Sequence, residues 1–274
     1  MPVEPPEMLQ CDEGRHLFGR DAHVYEAGRP QYPDAVYEVL ERRCGLTSGC
    51  RVLEVGPGTG LVTRRLLEAG ASVVAIEPDP ALAAYLHAAL RHDAVEVVES
   101  PLESAAVEDG AFDLALAATS FHWVDQKVGL GKLRRAIGPG GSVALWWTLY
   151  RDPWATDEFS RAVEGILGPN TRGAFDEPGR PPFQLDVEHR LRDMRRWGHF
   201  EHLEATIIET TLALRAVQAR ALYGSMATVL RRDPDEQTAI LDSIEGLVES
   251  VFSGSVERRF VTALYTGRRA TVAR

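Results

Sequence analysis

A chain of 274 residues with 45% hydrophobic content can bury a core large enough for one domain carrying a cap, which excludes the disordered and fibrous classes. Its net charge of −10 and pI near 5.3 disfavour a polyanionic partner, because phosphate backbones are held by clustered Lys and Arg, so no nucleic-acid partner is expected. The opening MPVEPPEMLQ lacks a basic segment followed by an apolar one, and nowhere do 18 apolar residues run together; no membrane span and a cytoplasmic location are expected.

After a polar, Pro-rich start, residues 34 to 44 place Val36 and Leu40 at helical spacing. The chain then alternates: strand 51 to 55, helix 60 to 69, strand 72 to 76, helix 79 to 91, strands 94 to 98 and 112 to 118, helix 127 to 137, strand 142 to 147. Such alternation implies crossover helices around a mostly parallel sheet. Gly138-Pro139-Gly140-Gly141 stops the last of these helices and sets where the next strand begins. Beyond Trp147 a short helix (157 to 167), a loop rich in Gly and Pro (168 to 183) and a charged amphipathic stretch (185 to 196) follow. The tail returns to a strand at 203 to 212, helical segments near 215 to 231 and 234 to 252, and a strand near 257 to 266. The expectation is one α/β domain with a Rossmann-like doubly wound sheet, mostly parallel with an antiparallel edge strand. Its core is 34 to 150 plus 203 to 212 and 257 to 266; a helical cap comes from 1 to 33, 151 to 200 and 213 to 253.

Within this frame VLEVGPGTG (52 to 60) puts Gly56, Gly58 and Gly60 straight after an apolar strand, a turn from which side chains must be absent. In an open α/β sheet ligands bind beyond the carboxyl ends of the strands, and the turn after the first strand carries recognition. The spacing is G-x-G-x-G rather than the dinucleotide G-x-G-x-x-G, since position 61 is leucine. Seventeen residues past Gly60 the second strand ends in Glu77, followed by Pro78 and Asp79. A carboxylate there suits ribose hydroxyls and repels a 2′-phosphate, which points to an adenosine-type ligand. Asp79 has the alternative of simply capping the next helix. Pro101 and Leu102, in ESPLE (99 to 103), are placed to flank an adenine.

Glu54 completes E-x-G-x-G-x-G, and with the strand-terminal Glu77 the pattern resembles the class I S-adenosylmethionine-dependent methyltransferases. FGRDAHVYEAGRPQYP (18 to 33) and SFHWVD (120 to 125) look like their small-molecule, trans-aconitate methyltransferase-like or type 11 subfamily. The resemblance covers at least residues 18 to 147. It implies S-adenosylmethionine as cofactor and S-adenosylhomocysteine as product, with Gly56, Gly58 and Gly60 under the methionine moiety and Glu54 at its amino end. Glu77 would hold the ribose, with Pro78 beside it, Leu102 and Glu103 near the adenine, and Thr119 at the fourth strand's tip. Tyr25 and Arg29 match an N-terminal Y-x-x-x-R-P segment that folds over the cofactor in such enzymes; Arg29 would face its carboxylate, the alternative being a surface ion pair.

The fourth strand leads to Phe121, His122 and Trp123. Residues at that tip look toward the transferred methyl, which makes His122 the candidate base, or else a histidine that positions substrate. Phe121, Trp123 and Trp147 are the candidate acceptor contacts, in a pocket that Trp154, Phe183 and Trp197 also approach. The expected reaction is in-line transfer of a methyl group to an O, N or C atom of a small-molecule acceptor. A NAD-dependent oxidoreductase on a related sheet, or a catalytically silent cofactor-binding protein, are the alternatives. His199 and His202 lack a third ligand, so no metal is expected. Cys11, Cys44 and Cys50 form no C-x-x-C and read as reduced thiols. No sequence feature sets an oligomeric state.

Overall fold

The computed structural model describes residues 17–90, 94–168 and 180–271. Its strands are β1 (Arg51–Val55), β2 (Ser72–Glu77), β3 (Val95–Glu99), β4 (Phe112–Ala118), β5 (Ile137–Leu149), β6 (Phe200–Arg215) and β7 (Ser255–Arg269). They form one sheet in the order β3-β2-β1-β4-β5-β7-β6. β1 to β5 run parallel, while β7 lies antiparallel between β5 and β6. The helices are α1 (Ala22–Gly28), α2 (Asp34–Cys44), α3 (Leu61–Glu68), α4 (Pro80–Ala89), α5 (Gln126–Ala136), α6 (Glu158–Leu167), α7 (Val187–Gly198), α8 (Ala216–Gly224), α9 (Ala227–Leu230) and α10 (Pro234–Ser250). This is the Rossmann-like, mostly parallel sheet with an antiparallel addition that the alternation predicts.

Local chemistry explains where the helices start. Asp79, Asp125, Asp157, Asp186 and Asp233 each accept a hydrogen bond from a backbone amide in the first turn of α4, α5, α6, α7 and α10. Pro80 and Pro234 occupy first-turn positions where no amide is needed. α2 ends at Gly45 in the left-handed conformation.

Both faces of the sheet are covered, so its central strands are mostly apolar, with Glu54 of β1 a buried exception. Successive residues point to opposite faces, and the tryptophan pair of β5 shows it: Trp146 packs with Val36, Leu40, Val62 and Leu66 of α2 and α3, and Trp147 with Leu130, Leu133 and Met194 of α5 and α7. A third cluster joins α6, α8 and α10 to the ends of β6 and β7 through Phe159, Leu222, Ile244, Val248 and Phe260. α1 closes on α8 at Gly28, where a Cβ would lie 2.8 Å from that of Ser225.

Several boundaries differ from the sequence expectation. The last two strands run 200–215 and 255–269, longer than 203 to 212 and 257 to 266, because they pair with each other along almost their whole length. Gly138–Gly141 is a register shift inside β5, which already pairs Ile137 with Phe112 before resuming at Ser142 and Leu114. The Pro-rich start contains the unforeseen α1, begun by Asp21, which accepts from Val24. The helix expected near 215 to 231 divides into α8 and α9 at Ser225 and Met226. Residue 91, most of the loop from 168 to 183, and Cys11 lie outside the described residues; Cys44 and Cys50 are buried free thiols.

Candidate functional site

β1 and β4 are neighbours whose connections leave in opposite directions, and the crevice beyond their carboxyl ends is where such a sheet binds ligands. The turn after β1 holds Gly56, Gly58 and Gly60 at φ of 66°, 59° and 86°. Packing dictates two of them: a Cβ would lie 2.5 Å from that of Ser120 at position 56 and 2.6 Å from Leu86 Cδ1 at position 60. At position 58 it would meet only Tyr25 Cε1, at 3.7 Å. Gly58 is therefore the glycine whose missing side chain leaves room beneath α1.

Glu77, 3% exposed at the tip of β2, fastens this turn: Oε2 accepts from the Gly58 amide and Oε1 from the Asp79 amide, each at 3.0 Å. Burial pushes its carboxyl up to about 7 against the pull of those two bonds. Asp79 itself caps α4, accepting from Ala81 and Leu82 at 2.8 and 3.2 Å, with Pro78 between the two acids. Glu54, 1% exposed, is turned toward α3, where Thr63 Oγ1 donates to it at 2.7 Å; burial pushes it up to about 7 as well, with Glu77 adding to the rise.

The tip of β4 supplies the opposite wall. Thr119 takes a left-handed φ of 54°, and its hydroxyl is 2.9 Å from that of Tyr32. Ser120 donates to the Val55 carbonyl at 2.5 Å, tying the β4 tip to that of β1. A single 3₁₀ turn, Phe121–Trp123, follows, with Gln126 Nε2 donating to the Phe121 and Val124 carbonyls at 2.7 and 3.0 Å. On this turn His122 Nδ1 accepts the Trp147 indole N–H at 2.9 Å. Burial first, and then the charge of Arg29, push the imidazole down to about 3.

The N-terminal segment forms the roof. The Arg29 guanidinium lies 5.0 Å from the ring of Tyr25 and 4.8 Å from that of Tyr150, and Nη2 donates to the Ser225 carbonyl at 2.6 Å. Its Nε is buried without a hydrogen-bond partner, and among the described residues the side chains acting on it are tyrosines, with no carboxylate among them. Phe18 packs on Tyr25 and Trp123, at 5.4 and 6.2 Å between centroids.

The fold thus gathers Tyr25, Arg29, Gly58, Glu77, Thr119, His122, Trp123 and Trp147 at one end of the sheet. Other candidates point elsewhere. Phe121 is fully buried in the core, where a Cβ on Gly129 would touch it, and offers no surface to an acceptor. Leu102 is buried at 2%, and Glu103 Oε1 accepts from the Asp125 amide at the start of α5. Trp154 is 58% exposed with Arg259 on its ring, and Trp197 packs on Lys127 and Arg196; of the three expected pocket aromatics only Phe183 meets His122 and Trp147. His199 and His202 both sit at φ 49°, and among the described residues no group of three metal-ligating side chains exists. Tyr32, Ser120 and Tyr150 were missed. The first two lie inside the quoted RPQYP and SFHWVD segments, whereas nothing around Tyr150 marks it in the sequence.

Residues 53–145 match the family model described as methyltransferase domain. The chain is 35% identical over 130 residues to an uncharacterized methyltransferase of Mycobacterium tuberculosis, a stretch that covers 47% of this chain and 51% of that one. It therefore spans about half the length of the curated relatives it matches. A solved structure from Anaeromyxobacter dehalogenans, assigned as a type II methyltransferase, superposes with a TM-score of 0.63 at 24% identity, covering 89% of this chain and 99% of that one. The phosphoethanolamine N-methyltransferase 2 of Haemonchus contortus, solved with phosphomonomethylethanolamine and S-adenosylhomocysteine, gives a TM-score of 0.57 at 12% identity, covering 92% of this chain and 58% of that one.

Proposed function

We propose, for a chain whose residues 53–145 are a class I methyltransferase domain of the type 11 kind, that it transfers the methyl group of S-adenosylmethionine to a small-molecule acceptor and releases S-adenosylhomocysteine. The observation that carries this reading is a pair of opposite charges next to Tyr25: the Arg29 guanidinium lies 5.0 Å from its ring, and the Glu77 carboxylate holds Gly58, whose Cβ would lie 3.7 Å from Tyr25 Cε1. A ligand with a ribose at one end and an amino acid at the other suits that pair.

The residues present fit such a ligand. Each Glu77 oxygen accepts one amide and keeps a lone pair for a ribose hydroxyl. Among the described residues the Arg29 Nε has no acceptor, and a carboxylate satisfies a guanidinium in its own plane. Gly58 leaves the turn bare beneath Tyr25. Pro78 borders the ribose end, and Thr119 faces it across the crevice; Glu54 acts on the turn from behind, through α3.

S-adenosylmethionine supplies an electrophilic methyl on a sulfonium, so the protein's task is alignment of the acceptor and exclusion of water. His122 and Trp123 form the wall at the β4 tip where an acceptor atom would be aligned, with the buried Trp147 holding His122 and with Tyr25 and Phe18 closing over it. An acidic protein with aromatic side chains around the β4 tip suits a small metabolite better than a polyanion. An O, N or C acceptor is compatible with this wall.

Calorimetric titration with S-adenosylhomocysteine, with NAD as control, tests the reading, followed by a screen for transfer of labelled methyl to small acceptors. Binding of S-adenosylhomocysteine alone supports it. Preference for NAD sinks it in favour of an oxidoreductase, and tight binding with no transfer to any acceptor leaves a silent binder.

A further inference from the structure

Among the contacts at the β4 tip, one fixes the chemistry of a side chain. An indole N–H can only donate, so at 2.9 Å from Trp147 Nε1 the His122 Nδ1 must accept. A neutral imidazole carries one proton, which is then on Nε2. We infer that Trp147 is a positioning residue that holds His122 as its Nε2–H tautomer, so that His122 meets an acceptor as a hydrogen-bond donor and not as a general base. The assignment of a donor role toward an acceptor rests on the methyl-transfer reading above; the tautomer does not.

Both partners stand on rigid frames. Trp147 is 1% exposed in β5, with β4 on one side and β7 on the other, and its ring is braced edge-on by Phe183 at 5.4 Å and Tyr265 at 6.0 Å. Tyr265 is in turn fixed by donating to the Gln184 carbonyl at 2.6 Å. His122 rides on the short turn whose carbonyls Gln126 holds. Neither ring can rotate to suit another arrangement without loosening the packing around it.

The alternatives are therefore penalised. Moving the proton to Nδ1 would face two N–H groups at each other and leave a buried indole N–H without an acceptor, disfavoured on the order of ten- to a hundredfold. Base catalysis fails for the same reason: the one lone pair of this tautomer is on Nδ1, and it is spent on Trp147. The charged groups around the ring oppose an imidazolium too, since Arg29 acts on it directly and Arg190 of α7 lies 3.7 Å from the Phe183 ring that packs against it. A nucleophile at this wall keeps or loses its proton without His122.

Nitrogen-15 NMR of the histidine-labelled, ligand-free protein tests the tautomer without reference to any reaction. The expected spectrum shows His122 Nδ1 as the unprotonated, pyridine-like nitrogen and Nε2 as the protonated one, near neutral pH. In Trp147→Phe, which keeps an aromatic ring and removes the N–H, the Nδ1–H tautomer should become measurably populated. A protonated Nδ1 in the wild type, or an unchanged tautomer ratio in the variant, overturns the inference. His122→Gln gives an independent reading, because it retains an N–H donor at similar reach and has no basic nitrogen. It should recover at least tenfold of the turnover lost in His122→Ala, and turnover as low as that of His122→Ala would restore the general base. Failure to bind S-adenosylhomocysteine would remove the methyl-transfer reading while leaving the tautomer result standing.

Discussion

Glu77 Oε2 accepts the amide of Gly58 at 3.0 Å, so the carboxylate at the end of β2 and the glycine turn at the end of β1 are one mechanical unit. Removing the charge should loosen the turn as well as the ribose contact. Glu77→Gln is expected to weaken S-adenosylhomocysteine and adenosine alike by about tenfold or more, the scale of a charge-assisted hydrogen bond. Equal affinity of variant and wild type for adenosine, measured by calorimetry, would take Glu77 out of the site.

Arg29 makes the complementary case. Arg29→Met keeps a side chain between Tyr25 and Tyr150 but has no donor for a carboxylate. S-adenosylhomocysteine should bind at least tenfold more weakly, and adenosine, which has no carboxylate, about as well as before. If both ligands weaken together, Arg29 supports the roof and does not read the amino-acid end.

The glycines of the turn should separate stability from binding. Gly56→Ala forces a Cβ to 2.5 Å from Ser120 Cβ at a φ of 66°, so a loss of roughly 2 kcal/mol or more is expected in denaturant unfolding. Gly58→Ala meets no atom of the described residues closer than 3.7 Å and should lose only about 1 kcal/mol for its φ, while its new methyl group narrows the space under Tyr25. The expected outcome is a stable protein with weakened affinity for S-adenosylhomocysteine; unaltered affinity would place the ligand elsewhere.

Burial raises Glu54 and Glu77 to about 7, above the value near 4.3 of an unfolded glutamate. For an acid raised in this way the folded state binds the proton more tightly, so stability of the ligand-free protein declines as pH rises from about 4.3 and levels off above about 7. The decline is on the order of 1–3 kcal/mol per carboxylate. Thermal midpoints from pH 4.5 to 7.5 should fall, and Glu54→Gln should flatten the slope. A midpoint that climbs across that window in the wild type and is unaffected in the variant would show that these carboxylates titrate normally.

Much of the sheet was legible because its parallel strands are mostly apolar, and because aspartate, proline and glycine punctuate α4 and α10 at their starts and α2 at its end. The antiparallel pair is longer than its sequence pattern: β6 alternates buried and exposed residues only irregularly, and its pairing with β7 depends on partners 40 to 69 positions away in sequence, from Arg215 with Ser255 to Phe200 with Arg269. The glycine turn and Glu77 were legible from spacing alone. Tyr150 was not, since it enters the site by stacking on Arg29 across the fold. Phe121 shows a related effect: a residue next to a candidate position need not share its direction, and the 3₁₀ turn sends His122 to Trp147 and Phe121 into the core.

Arg29 and the Ser225 carbonyl are 196 positions apart, yet Gly28 lets α1 and α8 meet so closely that the roof and the insertion between β6 and β7 are stitched together. Anything that enters or leaves past Tyr25 therefore has to lift two distant stretches of chain at once. Residence time of a bound nucleoside becomes a property of that seam, and laboratory selection for faster product exchange should find its substitutions along α8 as often as beside the glycine turn.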